Sequence, residues 1–160
     1  MDIRVGVGYD VHQLAAGYEF WIGGVRIPHT KGAVGHSDAD VLLHAICDAI
    51  LGALALGDIG THFPDTDPKY KGIDSKKLLK HVFELILTKG WKIGNIDSTI
   101  CLQQPKLKPY IPNMVSTIEK IVDVKGEDRV SVKATTTEKL GFVGREEGIS
   151  AYCVVLLIKS

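Results

Sequence analysis

The chain has 160 residues, which is enough for one domain with a sizeable core and too short to expect two. Its 19 basic side chains balance its 19 acidic ones, so no basic excess indicates a nucleic acid or an anionic membrane as a partner. No apolar run reaches the length of a membrane span, and the three scattered cysteines favour a reducing cytosol over a disulfide framework or a thiolate zinc site.

The N-terminal segment is predicted to be a strand. Apolar residues alternate with polar or small ones through residues 3–11, which is the period of a β-strand. Asp10 and His12 share one face, and Gly6 and Gly8 leave room on that face for something to approach the backbone. Because this pattern stands in place of a signal peptide, we expect a cytoplasmic protein.

The next segments lead to the helix around which the rest of the chain is organised. Residues 20–27 predict a bent strand or hairpin, and residues 32–35 predict a glycine-rich loop. Nearly every position in 41–56 is apolar or small, which predicts a helix that is covered on most sides. Ser37 is expected at its N-cap, with Asp40 three residues further on in capping-box register.

A polar stripe interrupts this apolar helix. Asp40, His44 and Asp48 follow one another at four-residue spacing, so they stack on one face. Ionisable groups are costly to bury without a partner charge, a hydrogen bond or a metal, and we therefore expect this face to look into a site. Either Asp40 or Asp48 is expected to bond to His44 and fix its tautomer. Free N–H groups at the helix start favour an anion near His36 and Ser37.

The second half of the chain alternates helices with strands. After a polar loop at 61–72, the pattern predicts a helix from Asp74 or Ser75 to Gly90, and then a strand through Ile96 and Ile100. The remaining predicted elements are a helix at about 112–122, a strand at 130–135, a polar loop at 135–148 and a strand at 149–158. This order predicts one α+β or α/β domain over residues 1–160, a mixed sheet with helices packed on one face. Since the last strand is apolar on both faces, we expect a partner subunit to cover the second face.

One carboxylate and two imidazoles form a candidate metal site. Asp10 and His12 lie on the first strand, and His44 lies on the polar stripe of the helix. Catalytic zinc sites usually have three protein ligands of these types and leave a fourth position to water or substrate. Spacing of this kind is more often a chance pair on a strand and a satisfied core histidine on a helix, but the polar stripe and the glycines beside Asp10 favour a cavity.

Two further segments suit the binding of phosphate. Lys106 follows Gln104 and Pro105 at the end of a strand, where its ammonium can hold a phosphate. The run 135–138 presents hydroxyls and a carboxylate, and the run 141–145 adds flexible backbone and a guanidinium. Ordinary solvated turns explain each segment equally well when it is taken alone.

Together these segments resemble one family over essentially the whole chain. The matching motifs are D-V-H at 10–12, G-G-V-R-I-P at 23–28, H-S-D-A-D-V-L-L-H at 36–44, G-D-I-G at 57–60, F-P-D-T-D at 63–67, Q-x-P-K ending at Lys106, and K-A-T-T-T-E-K-L-G-F-V-G-R-x-E-G-I at 133–149. The sequence is similar to the 2-C-methyl-D-erythritol 2,4-cyclodiphosphate synthases of isoprenoid biosynthesis by the methylerythritol phosphate route. The resemblance implies a phosphorus–oxygen lyase that cyclises 4-diphosphocytidyl-2-C-methyl-D-erythritol 2-phosphate and releases CMP.

The resemblance also implies ligands and substrate contacts. Zinc would bind to Asp10, His12 and His44, and a second divalent ion, magnesium or manganese, to Glu138. The implied substrate contacts are Asp10, His12, His36, Ser37, Asp58, Ile59, Gly60, Phe63, Pro64, Asp65, Thr66 and Asp67 for the erythritol and ribose parts, Leu102, Gln103, Gln104, Pro105, Lys106, Leu107 and Lys108 for the cytidine, and Thr135, Thr136, Thr137 and Glu138 for its phosphates.

The family's assembly adds further expectations. The resemblance gives His36 and Thr136 catalytic roles and implies a homotrimer whose active sites lie between neighbouring subunits. Phe142 and Arg145 match positions that line a central cavity, where an isoprenoid diphosphate would lodge. Leu102 stands where relatives usually have Ala, so a bulkier side chain borders the expected nucleotide pocket. Two other functions stay open, a zinc-dependent phosphodiesterase that activates water and a non-catalytic trimeric binding protein with a structural metal.

Overall fold

Strands and helices alternate along residues 2–160, the part of the chain that the computed structural model describes. The strands are β1 (Ile3–Ala16), β2 (Trp21–Ile22), β3 (Val25–Arg26), β4 (Lys31–Val34), β5 (Trp91–Cys101), β6 (Val130–Thr135) and β7 (Gly148–Lys159). The α-helices are α1 (Val41–Ala53), α2 (Ile59–His62), α3 (Ser75–Thr88), α4 (Ile111–Ile121) and α5 (Gly141–Gly144), with 3-10 turns at Pro68–Tyr70 and Lys108–Tyr110. Within these residues, no helix is both long enough and apolar enough to cross a membrane.

Five strands form one mixed sheet in the order β4, β1, β7, β5, β6. β1 pairs antiparallel with β4 and with β7, and β7 pairs antiparallel with β5. β5 and β6 run parallel, while β2 and β3 form a separate two-stranded hairpin. The predicted mixed sheet of an α+β protein is confirmed.

Helix α1 packs directly on the middle of the sheet, and two glycines of β1 allow it to do so. A Cβ atom on Gly8 would lie 1.8 Å from the carbonyl oxygen of Ala45, and one on Gly6 would lie 1.8 Å from that of Ala49. The expected close approach to these glycines is therefore confirmed, and the element that approaches is α1. Helix α3 packs against α1 and β5, and α4 against β6, so the helices cover one face.

The opposite face of the sheet carries exposed apolar side chains, as the pattern of the last strand predicts. On β1 the exposed large apolar residues are Ile3, Val5, Val7, Tyr9 and Val11, and on β7 they are Tyr152 and Val154. Tyr9 and Tyr152 pair across the two strands, with ring centroids 4.9 Å apart. An exposed apolar patch of this kind is typical of an interface.

The start of α1 differs from the prediction. Its N-cap is Asp40, whose carboxylate accepts a hydrogen bond from the N–H of Leu43, so the N-cap prediction for Ser37 is wrong. Tertiary contacts favour Asp40 as the N-cap, because the same carboxylate also accepts the N–H groups of Gly23 and Gly24 in the hairpin. The helix ends at Ala53, three residues before the predicted end.

Other predicted boundaries are corrected as well. The glycine-rich loop at 32–35 is largely strand β4, since Gly32 pairs with Ala15 and its missing side chain lets the backbone pass close to Tyr18. The polar loops at 61–72 and 135–148 each contain a helical turn. Helix α3 agrees with its prediction, with Asp74 as the N-cap, and α4 starts one residue early.

Candidate active site

Three predicted ligands converge at one point on the helical face of the sheet. Asp10 Oδ2 lies 2.8 Å from His12 Nε2 and 3.1 Å from His44 Nδ1, and the two nitrogens are 3.3 Å apart. One ligand atom from each residue lies within 4.8 Å of the other two, which is close enough for all three to bind one ion. One carboxylate and two imidazoles fit a divalent metal with an open coordination position.

The other ring nitrogen of each histidine is bonded to the protein. His12 Nδ1 lies 3.1 Å from the carbonyl oxygen of Val34, and His44 Nε2 lies 2.8 Å from Ser75 Oγ. Hydrogen bonds of this kind fix the tautomer and the ring orientation of metal-binding histidines. They direct His12 Nε2 and His44 Nδ1 toward Asp10.

The expectation that Asp40 or Asp48 bonds to His44 is wrong. Asp40 is fully buried and caps α1, and Asp48 Oδ1 accepts the N–H of Ile59 at 2.8 Å. Because the polar stripe has a different partner at each turn, only His44 belongs to the metal cluster. Burial raises the pKa values of both aspartates.

The charges in the cluster stabilise one another. Burial alone would raise the pKa of Asp10, but hydrogen bonds from His12 and His44 outweigh it and lower this pKa to about 2. Burial likewise works against the charged form of His12, but the hydrogen bond and charge of Asp10 raise its pKa. Asp10 is therefore a carboxylate at neutral pH, the form that a metal ligand requires.

An open cavity of about 420 Å³ surrounds the cluster. Predicted substrate contacts among its lining residues are Asp10, His12, His36, Ser37, Ile59, Gly60, Phe63 and Asp65, and sequence reasoning missed Gly35, Tyr70, Ile73 and Leu78. Phe63 packs edge-on against Tyr70 and His81, which anchors the loop that closes one side. Asp58, Pro64, Thr66 and Asp67 lie in the same loop but do not line the cavity.

The prediction that free N–H groups at the start of α1 bind an anion is wrong. Asp40 occupies the helix N-terminus, and His36 and Ser37 lie before it. Ser37 Oγ accepts the N–H of Ala39, and His36 Nε2 lies 3.2 Å from the carbonyl oxygen of Asp67. Both residues still face the metal cavity, so they remain candidates for substrate contact.

A second cavity, of about 400 Å³, lies beside β6. It brings together the predicted residues Leu102, Gln103, Pro105, Lys106, Leu107, Lys108, Thr135 and Thr136, and it also includes Ile111, Val132, Lys133 and Ala134, which sequence reasoning did not single out. Leu102 is buried at its wall. Gln104, Thr137 and Glu138 lie outside this lining.

The two cavities lie at the same end of the sheet but on different strands. Val11 of β1 is in line with Ser150, Cys101 and Thr135 across four neighbouring strands. Three strand spacings separate the two ends of this row by about 14 Å. Within one chain, the residues at 135–138 therefore do not line the metal cavity.

The remaining predicted residues lie on and after α5. Phe142 is exposed on this short helix, and Arg145 makes an ion pair with Glu147. Neither residue lines the two cavities described above.

The sheet, the metal cluster and the open cavity place the chain among proteins able to hold a divalent metal at a small-molecule site. The chain belongs to the YgbB family, whose family model matches residues 3–158. A relative from Bacteroides thetaiotaomicron, named 2-C-methyl-D-erythritol 2,4-cyclodiphosphate synthase, is 62% identical over 159 residues, which cover 99% of both proteins. A relative of the same name from Geobacter sulfurreducens is 64% identical over 97% of this chain and 98% of its own.

Solved structures agree with this assignment. The bifunctional IspDF from Campylobacter jejuni matches 99% of this chain with a TM-score of 0.95 and 45% identity, and the match spans 43% of that longer protein. The CDP complex of IspF from Plasmodium falciparum matches with a TM-score of 0.86 and 35% identity, over 99% of this chain and 97% of its own. The resemblance seen in the sequence is confirmed, and the chain is an enzyme. The phosphodiesterase and the non-catalytic binding protein are not supported.

Proposed function

We propose that the chain cyclises 4-diphosphocytidyl-2-C-methyl-D-erythritol 2-phosphate to 2-C-methyl-D-erythritol 2,4-cyclodiphosphate and releases CMP in isoprenoid biosynthesis. The convergence of Asp10, His12 and His44 beside an open cavity carries this proposal. The names of the relatives supply the reaction.

The reaction needs positioning more than acid–base chemistry. An oxygen of the substrate's 2-phosphate attacks the β-phosphorus, and the bond from that phosphorus to the bridging oxygen breaks, so CMP leaves with the electron pair. The nucleophile is already an anion, so no general base is required. Holding the two groups in line for attack within one molecule can lower the barrier by about 7 kcal/mol or more.

The metals are assigned by the chemistry of the donors. Asp10, His12 and His44 would hold zinc, and their atoms lie close enough to share one ion. Glu138 is exposed on its turn and would hold magnesium or manganese together with substrate phosphates. When bound, these ions would polarise the β-phosphate and neutralise the charge that passes to CMP.

The protein's own residues would orient the substrate. His36 and Ser37 face the metal cavity. His36 would contact the reacting phosphates there. Lys106 and the hydroxyls of Thr135 and Thr136 border the second cavity, where they would bind the cytidine diphosphate part, with Thr136 in the catalytic role. Glu138 would lie beside the phosphates of the cytidine diphosphate part.

The active site would need two copies of the chain. Thr135 and the metal cluster lie three strands apart in one chain, so a neighbour would bring its run 135–138 to the cluster. The exposed apolar face of β1 and β7 would form the contacts of a homotrimer. Phe142 and Arg145 would line the cavity on its axis, where an isoprenoid diphosphate would bind. We place this assembly in the cytoplasm.

Phosphorus NMR of the purified protein with its substrate tests the reaction. We expect cyclic diphosphate and CMP, and loss of both when a chelator removes the metal. An open 2,4-bisphosphate that carries solvent oxygen would indicate hydrolysis at the β-phosphorus and contradict the proposal.

His44→Ala tests the metal assignment. We expect it to lose zinc and cyclisation together, because one of three ligands is gone. His29→Ala is the control, since this ring packs beside Phe20, outside the metal cluster. Full zinc occupancy in His44→Ala, measured by elemental analysis, would overturn the assignment.

A further inference from the structure

We propose that Ser75 and Asp38 are positioning residues that fix the His44 imidazole in the tautomer that a metal requires. The inference rests on the proposed metal site at Asp10, His12 and His44. It concerns a hydrogen-bonded relay that runs from His44 through Ser75 to Asp38, behind the cluster.

The direction of each hydrogen bond in the relay follows from its last member. Asp38 accepts the N–H of Ser75 at 2.9 Å on one oxygen, and the hydroxyl of Ser75 together with the N–H of Asp40 on the other. A carboxylate only accepts, so the Ser75 hydroxyl must donate its proton to Asp38. The Ser75 oxygen is then free only to accept, and the group within reach is His44 Nε2 at 2.8 Å.

This arrangement determines which nitrogen of His44 carries the proton. Nε2 must be the N–H that donates to Ser75, which leaves a lone pair on Nδ1. Nδ1 is the atom that faces Asp10 and His12. The relay therefore presents the free lone pair to the metal position.

The relay matters because the other tautomer of His44, with its proton on Nδ1, is also favoured by a neighbour. Asp10 Oδ2 lies 3.1 Å from His44 Nδ1, and without an ion this carboxylate would attract a proton to that nitrogen. A proton on Nδ1 blocks metal binding and must be moved before an ion can bind. Ser75 and Asp38 oppose that tautomer from the other side of the ring.

Burial strengthens the relay. Ser75 is fully buried and His44 is 6% exposed, so water cannot readily replace a missing hydroxyl at Nε2. Ser37 Oγ also lies 3.2 Å from Nε2, but it accepts the N–H of Ala39, and its own proton has no carboxylate partner among residues 2–160. The shorter contact and the charge behind it favour Ser75.

The relay also connects three segments. Ser75 is the first residue of α3, Asp38 lies in the segment before α1, and His44 is on α1. The N–H of Asp38 donates to the carbonyl of Ile73, a residue of the metal cavity. The orientation of the metal ligand is therefore set by the contact between α1 and α3.

Zinc affinity of the full chain tests the inference, measured at one pH by competition with a chromophoric chelator. Ser75→Ala and Asp38→Asn should each bind zinc about 10–100-fold more weakly than the wild type, the usual effect of losing a partner of a ligating histidine. In Asp38→Asn an amide NH2 group faces a donor at either oxygen position, so the variant loses at least one hydrogen bond from Ser75 in either orientation of the amide. Ser37→Ala is the matched control and should stay near the wild-type affinity.

A spectroscopic readout separates positioning from a general loss of structure. In the zinc-loaded, nitrogen-15-labelled protein, the Nε2 proton of His44 should be protected from exchange with water, and in Ser75→Ala it should exchange fast. Ser75→Thr, which restores the hydroxyl, should recover both protection and affinity. Thermal melting of each variant shows that it is folded, and Asp38→Asn gives the answer where Ser75→Ala does not fold.

The outcomes distinguish the relay from the proposed function. If the wild type binds zinc and both relay variants bind it equally well, the relay is overturned and the metal site stands. The relay is also overturned if Ser37→Ala weakens binding while Asp38→Asn does not. If the wild type fails to bind zinc, or binds it unchanged after His44→Ala, the proposed metal site itself is wrong.

Discussion

Asp48 lies one turn after His44 on α1, where its carboxylate accepts the N–H of Ile59. Burial raises its pKa above the ordinary value, so the folded state binds a proton more readily than the unfolded state. Stability is then lost as the pH rises from the unfolded pKa through the folded one. Asp48→Asn keeps the acceptor oxygen without the charge, and we expect a higher Tm than wild type at pH 7 and a difference that shrinks below pH ~4.

Asp58 provides a control of opposite sign for that prediction. Hydrogen bonds from the backbone and hydroxyl of Thr61 lower its pKa, so its contribution to stability is present at neutral pH and lost as the pH falls. Asp58→Asn should therefore lower the Tm at pH 7, and by less in acid. Equal shifts of the same sign in the two variants would show that charge burial does not govern Asp48.

Lys106 is predicted to serve the nucleotide pocket. Its side chain borders the second cavity, and replacing it by Ala removes a charge that would hold a phosphate. We expect Lys106→Ala to weaken CDP binding about tenfold, the effect of one lost charge-assisted hydrogen bond, with zinc content unchanged. Lys125→Ala, at an exposed position outside both cavities, is the control. An unchanged CDP affinity in calorimetry would contradict the assignment.

Single residues show where sequence reasoning was sufficient and where it was not. Asp10, His12 and His44 are recognisable because their side-chain types match a metal and their periodicity places them on facing surfaces. The partner of His44 was not predictable, because Ser75 is 31 residues away and reads only as a helix cap. Helical spacing singled out Asp40 and Asp48, but spacing does not reveal which backbone groups will bind them.

At the scale of elements, the contact between β1 and α1 determines the position of the metal ligands. Gly8→Ala would place a methyl group 1.8 Å from the backbone oxygen of Ala45, so α1 must move away from the sheet. We expect a loss of about 3 kcal/mol or more in the free energy of unfolding, at the upper end of overpacking effects. Weaker zinc binding should accompany it, because His44 moves with α1.

Gly52→Ala is a matched control on the helix itself. A Cβ atom there would meet only the carbonyl oxygen of Val7, at 3.9 Å, and alanine is the better helix former. Urea unfolding should show a gain of about 0.5–1 kcal/mol for this variant. Equal stability of the two variants would mean that the close approach does not matter.

Elements with a hydrophobic period or a long apolar run could be predicted from sequence, and the shortest elements could not. Strand β1 and the helices α3 and α4 have such a period, while α1 and β7 are nearly continuous apolar runs. Strand β4 has only four residues and exists because β1 extends to Ala16 and pairs with it. Helices α2 and α5 have four residues each, which is too short for any periodic signal.

At the scale of the whole molecule, strand order separates two groups of residues that the sequence suggests for one site. The pattern identifies both the metal ligands and the hydroxyls at 135–137, but it cannot show that β7 and β5 lie between them. Pairing over more than 100 residues of sequence, as between β1 and β7, decides this order. Only the sheet itself shows that the two cavities of one chain are separated by three strand spacings.

The exposed apolar face of the sheet gives a prediction for the assembly as a whole. Val154 lies on this face and is 47% exposed in the single chain, so a homotrimer would bury it. In Val154→Glu an unpaired carboxylate would enter that interface at a cost of about 3 kcal/mol or more, which weakens association at least about 100-fold. Sedimentation should give three times the 17.4 kDa of one chain for the wild type and mostly monomer for the variant.

Leu87→Glu is the matched control for this substitution. Leu87 is 46% exposed, but it lies on α3, away from the exposed sheet face, so its variant should remain a trimer. Because the run 135–138 would reach the metal cluster only from a neighbouring chain, Val154→Glu should also lose cyclisation while each folded monomer still binds zinc. A monomeric variant with full activity would refute the shared site, since one chain would then contain every residue that the reaction needs.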